Sequence, residues 1–355
     1  AVMLENYVLS VTNVELTCVE GTEFDIVEHE GKTFWINKKY IPKNTRIPGT
    51  PGSSQGKGKQ PKGLDKIIEN QFRFHYDTTL IKKCPHVIKP NDLISITEKV
   101  HGTSGISAYV VCKHPRSFAN KVISWICEKL LGLEIEGTVQ YYHDYDYLYS
   151  SRSVIKNQYY NKNAGPGFYG CDVWKFADDV VRPWLQKGMT AYYEIVGFLP
   201  NGGYIQKGYD YGCIPPKEGD VYQHGVHFKV LVYRITMTNV DGNVHEFSAR
   251  EVQQWCNFVN LTPVYQYYYG YASDLYPELD PAEHWNENFL QKLANESLFY
   301  MEQDSPTCNN KVPHEGVVIK VENMKSEAFK LKCFKFLDKE GKALDKGESN
   351  IEDAN

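Results

Sequence analysis

The residue of this 355-residue chain best suited to chemistry is Lys99, in the stretch ITEKVHGTSG at 96–105. Counting along the alternation, Leu93, Ser95, Thr97 and Lys99 share one strand face, while Ile94, Ile96, Glu98 and Val100 share the other. A lysine fixed at a strand end beside other cations can be kept partly neutral and aimed at a phosphorus atom, as a covalent lysine–nucleotide intermediate requires. Lys-x-x-Gly also occurs at 129–132 and 162–165, but only Lys99 combines a preceding strand, a following turn and the hydroxyls of Thr103 and Ser104. Lys330 and Lys332 are two apart in an alternating segment, so both ammonium groups face one way and Phe329, Leu331 and Cys333 the other. Two neighbouring cations are costly without an anion between them. A nucleotide α-phosphate would supply it, and the same positive field would favour the neutral amine of Lys99. At 314–321 the alternation puts Glu315, Val317 and Ile319 on one side and Gly316, Val318 and Lys320 on the other. Glu315 then stands at a strand start, where a hard metal ion carrying several waters could reach it.

The string EKVHGTS resembles motif I of the ATP-dependent RNA ligases of the phage and trypanosome-editing type, within the covalent nucleotidyltransferase superfamily. DNA ligases and capping enzymes usually have Asp where this chain has His101. Further stretches resemble the remaining motifs in the family's order: Tyr149-Ser-Ser-Arg-Ser-Val (motif Ia), Tyr192-Tyr-Glu-Ile-Val-Gly (III), His227-Phe-Lys-Val-Leu-Val-Tyr (IIIa), Glu315-Gly-Val-Val-Ile-Lys (IV) and Phe329-Lys-Leu-Lys (V). The resemblance implies that Lys99 is the nucleophile that carries AMP and that Glu98, Val100 and Ser104 shape the nucleotide pocket. Ser104 stands where the family often has asparagine. It further implies that Arg152 contacts phosphate, Glu194 grips the ribose hydroxyls and Phe228 stacks on adenine. Glu315 would serve a divalent metal, Mg2+ or Mn2+, with Lys330 and Lys332 catalytic beside it. The implied activity is an ATP-dependent joining of RNA 3′-OH and 5′-phosphate ends, in RNA repair and by a monomer. Each motif alone has an ordinary reading, and Arg152 is equally well a surface arginine. Another covalent nucleotidyltransferase, such as a DNA ligase or a GTP-using capping enzyme, and a non-catalytic RNA-binding homologue remain open.

Composition accords with a soluble globular protein, with 42% hydrophobic and 23% charged residues. The net charge of −5 argues against tight, indiscriminate coating of nucleic acid, so positive charge for an RNA partner must be local, as at 325–342. Nine cysteines, with no Cys-x-x-Cys pair, predict reduced thiols and a cytoplasmic setting, the host cytoplasm if the chain is a phage protein. No apolar run reaches membrane-spanning length.

The expected fold is α+β: a nucleotidyltransferase domain whose antiparallel sheets form an ATP cleft, preceded by a small β-rich module. Short alternating runs at 7–11, 14–19, 24–27 and 33–36 define that module over residues 1–48, which reads equally as a nucleic-acid-binding unit and as a cap on the catalytic domain. Residues 49–63, rich in Gly, Pro, Ser and Lys, read as a flexible linker. The catalytic domain is placed at 64–336, with a fraying polar tail at 337–355. Capping signals predict helices at 118–131, after Ser248 with Glu251, and from Asp280 and Pro281 towards Tyr300. Tyrosine clusters at 141–149 and 265–271 suit base stacking, although half-buried strands account for them better.

Overall fold

The computed structural model describes residues 2–4, 7–9, 26–29, 32–35, 67–75, 78–115, 141–157, 167–281, 284–296, 302–322 and 327–345. The chain divides into two units, Ala1–Lys59 and Gln60–Asn355. In the first, β1 (Val2–Leu4) pairs antiparallel with β2 (Tyr7–Leu9), and β3 (Ile26–His29) with β4 (Lys32–Trp35). The expected run at 14–19, the linker and the helix at 118–131 lie outside the described residues.

The second unit holds two sheets. One contains β5 (Thr79–Leu80), β6 (Leu93–Glu98), β13 (Gln266–Tyr271), β14 (Gly316–Val321) and β15 (Glu327–Lys332), in the order β13-β6-β14-β15-β5. The other runs β11-β10-β9-β7-β8, from β7 (Thr103–Pro115), β8 (Tyr141–Ser151), β9 (Met189–Gly197), β10 (Phe228–Thr238) and β11 (Val244–Glu246), with β12 (Thr262–Pro263) paired to β10. Pairing is antiparallel except for β10 with β12 and β15 with β5. Both tyrosine clusters become strands, β8 and β13, and Tyr145, Tyr147 and Tyr267 to Tyr269 are half-buried, the structural reading of their alternation.

Burial follows that alternation and decides which face is left for a site. Ile94, Ile96, Val317, Ile319 and Leu331 are buried together with Trp285 and Phe289 of α4 (Trp285–Gln291) and Phe336 of α5 (Phe334–Asp345). In the second sheet Tyr193, Ile195, Phe228, Val230 and Val232 pack with α1 (Val173–Val181) and α2 (Ala249–Val259). Helices thus cover one apolar face of each sheet, and the more polar faces meet across a cleft.

Ser248 and Glu251 form the expected capping box on α2. The third expected helix starts later than its signal: after the short α3 (Ala272–Leu275), α4 begins at Trp285, and Lys292–Glu296 widens into a π turn. Besides the short α3, α1 and α5 carried no signal that was read. α1 is capped by Asp172, whose carboxylate accepts from the Lys175 N–H at 3.1 Å. α5 occupies the start of the stretch expected to fray, because Phe336 is buried and Glu302 accepts from the N–H groups of Phe334 and Lys335 at its first turn.

Candidate active site

Lys99 stands just past the end of β6, and its N–H donates to the Gly316 carbonyl on β14 at 2.9 Å. Ser95, Thr97 and Lys99 line the cleft, as the alternation required. The chain then turns at Gly102, where a Cβ would lie 2.7 Å from the Ile195 carbonyl oxygen and 3.2 Å from Glu194 Oε2. Glycine is needed there for close approach, and that approach brings the lysine turn onto the strand carrying Glu194.

Glu315 is the electrostatic centre. Its side chain is 1% exposed and ion-paired with Lys99 and with Lys332 at 3.2 Å, and His101 Nδ1 lies 3.4 Å away. Lys332 also meets Glu340 of α5 at 3.6 Å, and its ammonium lies 5.2 Å from the Phe336 ring centroid. Alternation had put Glu315 on the face of Val317 and Ile319, and this is corrected. Gly316 has φ +138°, a backbone state that resets the alternation, so Glu315 joins the lysines instead of the core.

Two adjoining cavities open between the sheets. The smaller, about 490 Å³, is lined by Lys99, Val100, His101, Ser104, Arg152, Glu194, Glu315 and Lys330, among others. Arg152 is therefore brought to the site rather than to an open surface. The larger, about 850 Å³ and partly open to solvent, shares Lys99, Val100 and Glu194 and continues past Thr97, Tyr233, Val318 and Lys320.

Phe228 is not brought to either cavity. It is 2% exposed and stacks on Tyr222 at 4.7 Å in the core beneath the sheet, on the face shared by Val230 and Val232. Tyr233 takes the wall position instead. A bulge between Val232 and Arg234 lets Tyr233 and Arg234 both border the larger cavity. The Tyr233 hydroxyl lies 3.0 Å from His75 Nδ1 and 3.3 Å from Ser104 Oγ, and burial beside the Glu194 carboxylate raises its phenol well above the usual range. Glu98 borders the cavity, but its carboxylate accepts from Ser305 Oγ at 2.7 Å, and burial raises it above the ordinary carboxylate range. At the far end Arg234 holds Glu246 through Nε and Nη2, with Lys320 3.7 Å from Glu246 and 3.6 Å from Glu322.

Sequence reasoning passed over Tyr233, Val318, His75 and Arg234. Lys320 and Val318 carried a readable signal, since both share the Gly316 face of β14. His75 lies outside every motif. Among the described residues no group of three or more His, Cys, Asp and Glu side chains forms a ready metal cage. Glu194 and Glu315, both bordering the smaller cavity, fit an ion that keeps most of its waters and takes one or two carboxylates. Among the described residues Cys84, Cys112, Cys171, Cys213, Cys256, Cys308 and Cys333 are free thiols, and no helix is long and apolar enough to cross a membrane.

No family model matches this sequence, and no curated protein matches it. Solved structures do. A Naegleria gruberi RNA ligase with PPi is 12% identical over 89% of this chain and 80% of that chain, at a TM-score of 0.43. A mutant of the Naegleria ligase with AMP and Mn, covering the same shares, gives 12% identity and a TM-score of 0.42. An archaeal ATP-dependent RNA ligase is 12% identical over 76% of this chain and 50% of that chain, at a TM-score of 0.35. A putative ATP-dependent DNA ligase from Aquifex aeolicus is 14% identical over 88% of this chain and 59% of that chain, also at 0.35. All of these neighbours are nucleic-acid ligases.

Proposed function

We propose that the chain is an ATP-dependent RNA ligase that works through a covalent lysyl-AMP. The observation that carries this reading is the convergence of Lys99, Arg152, Glu194, Glu315 and Lys330, from separate strands and strand ends, on one cavity that continues into a larger one. A structural role for each residue alone would not gather them. In this reading Lys99 attacks the α-phosphorus of ATP, the bond to the β-phosphate oxygen breaks, and pyrophosphate leaves as a phosphoramidate forms. Lys330 and Lys332 lie beside the position of the α-phosphate and stabilise its developing charge. Arg152 takes a further phosphate contact. Glu194 grips the ribose hydroxyls, and Tyr233 and Val318 wall the adenine from opposite sheets. The AMP then passes to an RNA 5′-phosphate, and a 3′-hydroxyl displaces it to form the phosphodiester. A divalent ion held at Glu315, with Glu194 nearby, would neutralise charge on the transferring phosphate.

Lys99 is ion-paired with Glu315, so the carboxylate must exchange partners for the lysine to act. In the same reading the N-terminal unit engages the RNA ends, in RNA repair, and does not merely cap the catalytic unit. The test is labelling of the purified chain by α-labelled ATP with Mn2+ or Mg2+, followed by denaturing electrophoresis. Wild type takes an acid-labile, base-stable label, Lys99→Ala takes none, and Lys332→Ala takes far less. Labelling by GTP alone would overturn the reading, as would equal label on Lys99→Ala.

A further inference from the structure

The turn that follows Lys99 leaves the sheet. At His101 the chain has ended β6 and not yet begun β7, so neither strand ladder provides for its N–H and C=O. One buried phenol serves both. The Tyr211 hydroxyl accepts from the His101 N–H at 3.1 Å and donates to the His101 carbonyl at 3.0 Å. A hydroxyl is suited to this because donor and acceptor sit on one atom. Tyr211 is 4% exposed and comes from the long connection between β9 and β10.

That connection is itself held. Lys229 Nζ donates to the Tyr211 carbonyl at 2.6 Å, Asn309 N–H donates to the Asp210 carbonyl at 2.7 Å, and Asn310 bonds the Asp210 N–H and the Gly208 carbonyl. The side-chain amide of Gln206 meets the His101 ring, whose faces and edges are closed by Tyr209 and Phe336 at 4.8 and 4.9 Å. The lysine turn is thus gripped on one side by β14 and β9 and on the other by this connection.

We infer that Tyr211 is a positioning residue for formation of the lysyl nucleotide, an inference that rests on the ligase reading above. Its hydroxyl fixes the His101 peptide and, through two residues of chain, the direction of the Lys99 side chain. It touches neither cavity, so it sets the angle of attack without adding to nucleotide affinity. Phenylalanine keeps the ring and removes both hydrogen bonds. The peptide is then free to rotate, and a displacement of about 1 Å at a nucleophile can cost on the order of 100-fold in rate.

The experiment is single-turnover labelling of the full chain by α-labelled ATP with Mn2+, across ATP concentrations, on wild type, Tyr211→Phe, Tyr222→Phe and Lys99→Ala, with thermal midpoints alongside. Tyr222 lies in the same connection, and its hydroxyl donates to the Phe198 carbonyl at 2.6 Å without touching the lysine turn. The expected result is a folded Tyr211→Phe whose saturated rate falls about tenfold or more while its half-saturating ATP concentration stays within about twofold, with Tyr222→Phe close to wild type. A folded Tyr211→Phe at the wild-type rate overturns the inference. Equal losses in Tyr211→Phe and Tyr222→Phe also overturn it, because they reduce the effect to loosening of the connection. If Tyr211→Phe does not fold, Lys229→Met takes its place: it frees the Tyr211 carbonyl, and an unchanged saturated rate is the overturning result. Wild type without label means that the ligase reading has failed and the inference with it; label on wild type, undiminished in Tyr211→Phe, sinks the inference alone.

Discussion

Gly316 has φ +138°, and a Cβ there would lie 2.1 Å from the Leu331 carbonyl oxygen, which no alanine could tolerate without parting β14 from β15. Gly316→Ala is therefore expected to release Glu315 from Lys99 and Lys332, abolishing label from ATP and lowering the thermal midpoint together. A separate residue-scale consequence concerns Asp178, buried behind the second sheet with Arg182 Nη2 2.6 Å away. Burial pushes its carboxyl up to about 6 against an opposing contribution from Arg182. The fold thus favours the protonated acid: stability from this group is fully present below the ordinary carboxylate pKa and is lost as pH rises through about 6. The stability of Asp178→Asn relative to wild type should rise between pH 4 and pH 7, on the order of 2 kcal/mol, in paired thermal or denaturant titrations. A flat difference across that range would show that Asp178 keeps its ordinary titration.

At the scale of the element, α5 bears no motif yet touches two residues of the site. Phe336 closes against His101, and Glu340 stands on Lys332. The neighbouring Leu337 is 44% exposed. Phe336→Ala should cost about 3 kcal/mol and reduce labelling, whereas Leu337→Ala should stay within about 0.5 kcal/mol and label normally. Denaturant midpoints with parallel labelling measure both. The sequence marked α2 because its capping box is local, two side chains three residues apart. It did not mark α5, half of whose residues are charged and whose helix rests on the buried ring of Phe336 and on a cap from distant Glu302.

For the whole molecule, a net charge of −5 coexists with a cavity that gathers Lys99, Arg152 and Lys330 beside Glu194 and Glu315. Every described residue that lines the two cavities belongs to the unit Gln60–Asn355. A chain lacking residues 1–59 should therefore form lysyl-AMP at close to the full-length rate and lose sealing of RNA ends. Retained sealing would remove the N-terminal unit from substrate binding, and lost labelling would make it part of the catalytic unit's stability.

The sequence by itself determined the strand faces of Lys99, Lys330 and Lys332, the glycine turn after Lys99 and the order of the motifs. These follow from the two-residue period of a strand and from close neighbours along the chain. Tertiary structure alone decided four other things. Glu315 turned to the lysines, Tyr233 rather than Phe228 became the cavity wall, Arg152 arrived at the site, and Tyr211 clamped the lysine turn. A positive φ interrupts the period at Gly316 and a bulge interrupts it at Tyr233, while Arg152 and Tyr211 reach the site through pairings between residues far apart in the chain. Local periodicity carries no record of where it will be interrupted, because the interruption is set by the strand that packs alongside.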